Sequence, residues 1–240
     1  FRDDMELTIK PYEVSYGFDR LIASFDDAII SASDLAPKMG AAFGRGKTLL
    51  ALKPLRDNAV TYDGQDFFDT DHTHPDGSTF SNKVVAARST DATPTLAEVA
   101  NEMALAVERL AMNQLVSNEI VSANFAAESL VVITKHATVW ARYYELLTKD
   151  MVSTTETNIW KGKFTLLRDY NPGSSTDYTV DFIQALPGGP RPSIMVIHRE
   201  VSGVQFGVID PMKREVPMTM DAQYAFGPGF PQTAVRRVQS

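Results

Sequence analysis

Within eleven residues the chain places Asp66, Asp69, Asp71, His72, His74 and Asp76, a density of carboxylates and imidazoles able to ligate a divalent cation. A metal-dependent hydrolase built on the Asp69 to Asp76 loop is therefore one functional reading. The spacing fits neither known geometry. A helical zinc-protease pair needs two histidines four apart with a glutamate between them, and a twelve-residue calcium loop needs a glycine at its sixth position and a glutamate at its twelfth. The expectation is instead a polar loop whose aspartates close turns.

A second candidate is Ala41-Ala42-Phe43-Gly44-Arg45-Gly46-Lys47-Thr48. It has the shape of a phosphate-binding loop, but Ala41 stands where the first glycine is required and the segment lies inside a helical pattern rather than between a strand and a helix. Its expected state is a packed helix with solvated Arg45 and Lys47. His136 is expected at a helix start and His198 on a strand. No G-x-S-x-G nucleophile elbow occurs, so a hydrolase triad has no anchor. Trp140, Trp160, Tyr143 and Tyr144 read as core or interface aromatics. No catalytic, cofactor-binding or metal residue is assigned, and the chain is not expected to be an enzyme.

Composition narrows the class further. The 240 residues are 44% hydrophobic, enough to build one large domain or two small ones, and 23 Lys and Arg against 30 Asp and Glu give a formal charge of −7. A dedicated nucleic-acid binder would be basic. The chain has no cysteine, which excludes disulfides, thiolate zinc sites and a cysteine nucleophile together. No apolar run approaches the roughly 20 residues of a membrane span, and Phe1-Arg2-Asp3-Asp4 is not the basic start of a signal peptide. A soluble protein without a membrane partner is expected, and the initial Phe suggests a piece of a longer product.

The elements that would position these residues form an α+β pattern. Leu7 to Lys10 and Tyr12 to Tyr16 alternate as extended strands, needing a partner from a distant strand or another chain. Ser31, Ser33 and Asp34 are N-cap candidates for a long helix through Met39, Phe43, Leu49, Leu50 and Leu52, with Pro37 tolerable only in its first turn and Pro54 near its end. Gly40, Gly44 and Gly46 within it suggest close approach of another backbone. From Asn58 to Asp91 the chain reads as a long ordered loop. Thr95-Leu96-Ala97-Glu98 matches a capping box, followed by Leu96, Val99, Met103, Val107 and Leu110 at helical spacing. A buried strand over Leu130 to Thr134 and a helix over His136 to Leu147 come next. Further strands are expected at Phe164 to Leu167, Tyr178 to Ile183, Ile194 to His198 and Val204 to Ile209. Gly227 and Gly229 around Pro228 are expected to make a sharp turn needing backbone angles closed to other residues.

Two stretches carry a resemblance. Tyr62-Asp63-Gly64-Gln65-Asp66-Phe67-Phe68-Asp69-Thr70-Asp71-His72 resembles a signature of the Mu-like phage major head subunit, and Met220-Asp221-Ala222-Gln223-Tyr224-Ala225-Phe226-Gly227-Pro228-Gly229-Phe230 is similar to that family's closing segment. The resemblance implies the Hong Kong 97-type capsid fold, with an extended loop, a peripheral domain with a long spine helix, and an axial domain. On that mapping residues 1–25 are the extended-loop-like arm, 26–91 and 201–225 the peripheral domain, and 92–200 and 226–240 the axial domain. It implies a major capsid protein that self-assembles into hexamers and pentamers of an icosahedral phage shell around double-stranded DNA, located in the virion. Implied partners are further copies of the chain, scaffold, portal and decoration proteins, and nonspecifically the packaged DNA. A cellular encapsulating compartment of the same fold is the alternative. Relatives usually carry an N-terminal arm with no counterpart in these residues.

Overall fold

Leu130-Val131-Val132-Ile133-Thr134 is an apolar, mostly β-branched run, the composition of a strand covered on both faces. In the computed structural model, which describes residues 7–19, 26–74, 77–86, 88–113, 130–169, 177–184, 193–201, 205–206 and 215–238, it forms β5 (Leu130–Thr134). The chain divides into two units, one holding Asn58–Ser193 and Pro228–Ser240, the other Met5–Asp57 and Ile194–Gly227.

In the first unit a five-stranded sheet runs in the order β4 (Lys83–Val84), β11 (Ala234–Arg237), β7 (Val180–Gln184), β5 and β6 (Phe164–Arg168). Phe182 lies opposite Val132 on one side and Val235 on the other, so three strands bring apolar residues to the same face. Against this face pack α2 (Leu96–Asn113), through Val99, Met103, Ala106 and Leu110, and α3 (Ala137–Thr148), through Val139, Tyr143 and Leu146. Alternation sends Asp181 and Arg236 to the opposite face. There the Arg236 guanidinium clamps Asp181 through two bonds of 2.6 and 2.8 Å and lies 3.9 Å from the centre of the Phe68 ring.

Phe68, on that second face, belongs to the segment from Asn58 to Asp91, which carries a small hairpin of β2 (His72–Thr73) and β3 (Thr79–Phe80). Buried Asn82 fastens it: its amide donates to the carbonyls of Phe67 and Pro231 at 2.6 and 3.2 Å and its oxygen accepts from Asp69 N–H at 2.8 Å. Residues 58–91 belong to the same unit as the five-stranded sheet.

The capping box forms as expected. Thr95 N–H donates to Glu98 Oε2 at 2.7 Å and Glu98 N–H to Thr95 Oγ1 at 3.2 Å. His136 caps α3, its ring accepting from Thr138 N–H at 3.3 Å.

In the second unit α1 spans Asp26–Arg56, beginning before the cap candidates Ser31, Ser33 and Asp34. Pro37 therefore sits in the helix interior and not in its first turn, removing one backbone bond that the remaining 31-residue ladder outweighs. Beside α1 is a sheet in the order β1 (Lys10–Asp19), β10 (Glu215–Pro228), β8 (Ile194–Val201), with β9 (Gln205–Phe206) also on β10. The partner of the N-terminal strand is thus a distant strand of the same chain: β1 and β10 pair antiparallel from Lys10↔Tyr224 to Asp19↔Glu215. Met39 and Phe43, one turn apart on α1, are buried, and Phe43 packs with Tyr12, Ala222 and Tyr224.

Two expectations need correction. A Cβ built on Gly40, Gly44 or Gly46 meets nothing within 4 Å, so no backbone closely approaches them among the described residues. Gly227 is not a turn residue; it lies in β10, outside the positive-φ set of Gly64, Gly77 and Gly162, and an added Cβ there would strike the Leu7 side chain. Close approach, not backbone angle, is what asks for glycine.

Candidate functional site

The Asp/His segment folds into turns around a histidine, not into a ligand cage. Asp63 starts the turn: its Oδ1 accepts from Thr61 Oγ1 at 2.5 Å and from Gln65 N–H at 3.2 Å, and Gly64 at φ 80° completes it. Its Oδ2 accepts from buried His72 Nδ1 at 2.7 Å, and the other ring nitrogen reaches the Phe67 carbonyl at 3.2 Å. Both nitrogens of His72 are thereby directed at protein oxygens, the arrangement of a positioning histidine and not of a ligand with a free lone pair. His72 and His74 both stack on Phe80, with centroids 5.0 and 4.2 Å away. Asp69 Oδ1 accepts from Thr70 N–H at 2.6 Å, and Thr70 also donates to Asp71. Asp76 lies outside the described residues. No group of three or more metal-ligating side chains assembles among the described residues.

Burial raises the pKa of the Asp63 carboxyl, but the bonds from Thr61, His72 and Gln65 outweigh it and hold the group below its ordinary value of 3.8. Because the folded pKa is depressed, the stabilisation is complete above that value and is lost as pH falls through the lower folded one. The Gln65 amide NMR shift, set by its bond to Asp63 Oδ1, is expected to move toward its free value as the pH falls below about 4. Asp63→Asn should show the displaced shift already at neutral pH; an unchanged shift in that variant would remove the turn's dependence on this carboxylate.

The glycine-containing segment Gly44 to Thr48 lies in the middle of α1, where its amides serve the helix and do not form an anion-binding nest. Thr48 Oγ1 donates back to the Gly44 carbonyl at 3.1 Å, and Lys47 Nζ lies 5.0 Å from the Tyr224 ring centre. His198 is on β8, as expected, with its side chain outside the described residues. Of the aromatics, Tyr143 is core, Trp160 is partly buried, and Trp140 stacks on half-exposed Tyr144 at 5.2 Å and 15°.

The densest electrostatic feature was not anticipated. Glu102 on α2 is buried and receives Arg88 through both carboxylate oxygens, at 2.5 and 2.8 Å, and the Tyr143 hydroxyl at 2.8 Å. Fully buried Arg237 on β11 lies 3.6 Å from the same carboxylate and 2.5 Å from Asp91. Burial, then the Glu102 charge, pushes the Tyr143 hydroxyl well above its ordinary pKa, so it stays a neutral donor. Two cations and two anions balance inside the unit, which is what allows charges to be buried at all. The available signal was Glu102 itself, a carboxylate inside the apolar stripe of Val99, Met103, Ala106 and Leu110. Nothing in this network opens toward a substrate-sized space; it pins β11, the segment after β4 and the two helices together.

Comparison with known proteins shows what the chain is similar to. Residues 2–97, the N-terminal two-fifths of the chain, match the family model described as the Mu-like prophage major head subunit gpT. A solved structure from Mycobacterium phage Che8 is 10% identical over 95% of this chain and 70% of that one, with a TM-score of 0.56. The asymmetric unit of the bacteriophage PhiM1 mature capsid is 10% identical over 98% of this chain and 72% of that one, with a TM-score of 0.55. The fold is the Hong Kong 97-type capsid fold.

A virus-like particle from Pyrococcus furiosus shares the fold, at 12% identity over 97% of this chain and 77% of that one, with a TM-score of 0.51. No curated protein sequence matches the chain. The match over 2–97 contains the Tyr62 to His72 signature, which the structure places in the tight turns around His72. Large apolar side chains stand exposed at Val85, Ile159 and Tyr144. No helix among the described residues is long and apolar enough to cross a membrane.

Proposed function

We propose that this chain is the major capsid protein of a Mu-like phage head, assembling as hexamers and pentamers of an icosahedral shell around double-stranded DNA. The observation that carries the reading is the agreement of a head-subunit sequence over residues 2–97 with a capsid fold over almost the entire chain. Its place is the virion capsid. Its partners are further copies of itself, with scaffold, portal and decoration proteins at the stages of assembly. The DNA contact is nonspecific, in keeping with the net charge of −7. No catalytic step is assigned to it.

Within the subunit, α1 takes the part of the spine helix and the sheet beside it that of the peripheral domain. The five-stranded sheet with α2 and α3 is the axial domain, and the hydrogen bonds of Asn82 and the Arg236 contact with Phe68 favour including 58–91 with it. Residues 1–25, which include β1, are read as the extended-loop-like arm.

Size-exclusion chromatography and negative-stain microscopy of the purified chain test the reading. Rings or closed shells are the expected particles. A small oligomer with a cation-dependent hydrolytic activity would replace it with the hydrolase reading.

A further inference from the structure

α2 presents Ala97, Asn101 and Ala104 to one side of a groove of about 500 Å³, and Val152, Ile159 and Trp160 form the other side. Small residues on the helix leave the groove open, and Ile159, 71% exposed, is an apolar side chain held in water. Glu156 is the charged group in the lining. A monomer gains nothing from keeping such a surface uncovered.

A second surface of the same unit has the opposite character. On α3, Trp140 and Tyr144 are one turn apart and stack into a ridge, with Tyr144 half exposed. Arg142 and Lys149 flank it, both reaching the single carboxylate Glu145, at 2.9 and 3.4 Å, so the ridge carries an excess of positive charge. None of the ridge residues lines the groove. The apolar groove carries Glu156 and the aromatic ridge a net positive charge, so the two are complementary in charge.

We propose that the groove beside α2 receives the Trp140–Tyr144 ridge of a second copy of this chain. Because different patches of identical chains meet, the contact is head-to-tail, and where its rotation closes, repetition around an axis builds a ring. Stacked aromatics lose little side-chain entropy on docking and cover the area that Ile159 and Trp160 leave in water. The contact rests on the shell reading and specifies which surfaces of the chain build the ring.

The absence of cysteine makes the test direct. Ala104→Cys combined with Tyr144→Cys, mildly oxidised after assembly, is expected to yield a ladder of covalent oligomers that neither single variant gives. Ile159→Asp, at an exposed position, is expected to reduce assembled particles more than about tenfold while its melting curve stays that of the wild type. Assembled particles of the double-cysteine protein without a ladder would overturn the contact, as would Ile159→Asp particles at wild-type yield. The cysteine pair remains decisive should the aspartate variant fold poorly. Failure of the shell reading is separately visible: the wild type itself then forms neither rings nor shells, before any variant is made, and the contact falls with it.

Discussion

Glu102→Ala is expected to destabilise the unit of α2, α3 and the five-stranded sheet by about 3–5 kcal/mol, the cost of leaving a buried charge without its partner. The carboxylate accepts from Arg88 and Tyr143 and faces Arg237, so its removal strands the buried Arg88 guanidinium and the Tyr143 hydroxyl and leaves Arg237 with Asp91 as its counter-charge. Against a typical total of about 5–15 kcal/mol, such a loss leaves many molecules unfolded at 37 °C. Chemical denaturation followed by far-ultraviolet circular dichroism measures it. The companion variant isolates charge balance from packing: removing Arg88 and Glu102 together as methionines leaves Arg237 with Asp91 and should recover part of the loss. If Glu102→Ala melted within about 0.5 kcal/mol of the wild type, the network would be no part of what holds this unit together.

Deleting Lys10–Asp19, with a short Gly/Ser linker in its place, is expected to remove the cooperative melting of the unit that contains α1 and to abolish shells. All ten residues of β1 are in register with β10, and Tyr12 packs against Phe43 and Tyr224. Its loss uncovers one edge of β10 along ten residues and one side of the aromatic cluster. Native-state hydrogen exchange reports this directly: β10 amides that bond to β1 should lose their protection, while α2 and β5 retain theirs. Unaltered protection of β10 would mean that its stability comes from β8 and α1 alone.

Local chemistry made much of this architecture legible. The Thr95 and Glu98 capping box, the stripe behind it, the Leu130 to Thr134 strand and the start of α3 at His136 all depend on residues within a few positions of one another, and each appears where its pattern predicts. The head-subunit likeness was legible for the same reason, being carried by continuous wording from Tyr62 to His72. Strand β10 was legible too: Val216, Met218, Met220, Ala222, Tyr224 and Phe226 alternate at the strand period, although Gly227 and Gly229 around Pro228 suggested a turn at its end.

Other features are decided by distance along the chain. The start of α1 five residues before its first cap candidate, and its passage through Pro37, depend on packing that overrides local propensity. That β1 finds β10 and not a strand of another chain is settled by matching of side chains more than two hundred residues apart, as Lys10 opposite Tyr224 illustrates. Whether the Asp and His of the Asp63 to His74 segment bind a cation or tie a turn rests on where the ring nitrogens of His72 point. The partners of Glu102 come from position 88 before α2, position 143 on α3 and position 237 near the C-terminus, and no spacing rule joins them. Hydrophobic period is written residue by residue. A buried charge, in contrast, is stable only where the completed fold brings its counter-charges, so the tertiary structure alone determines that pairing.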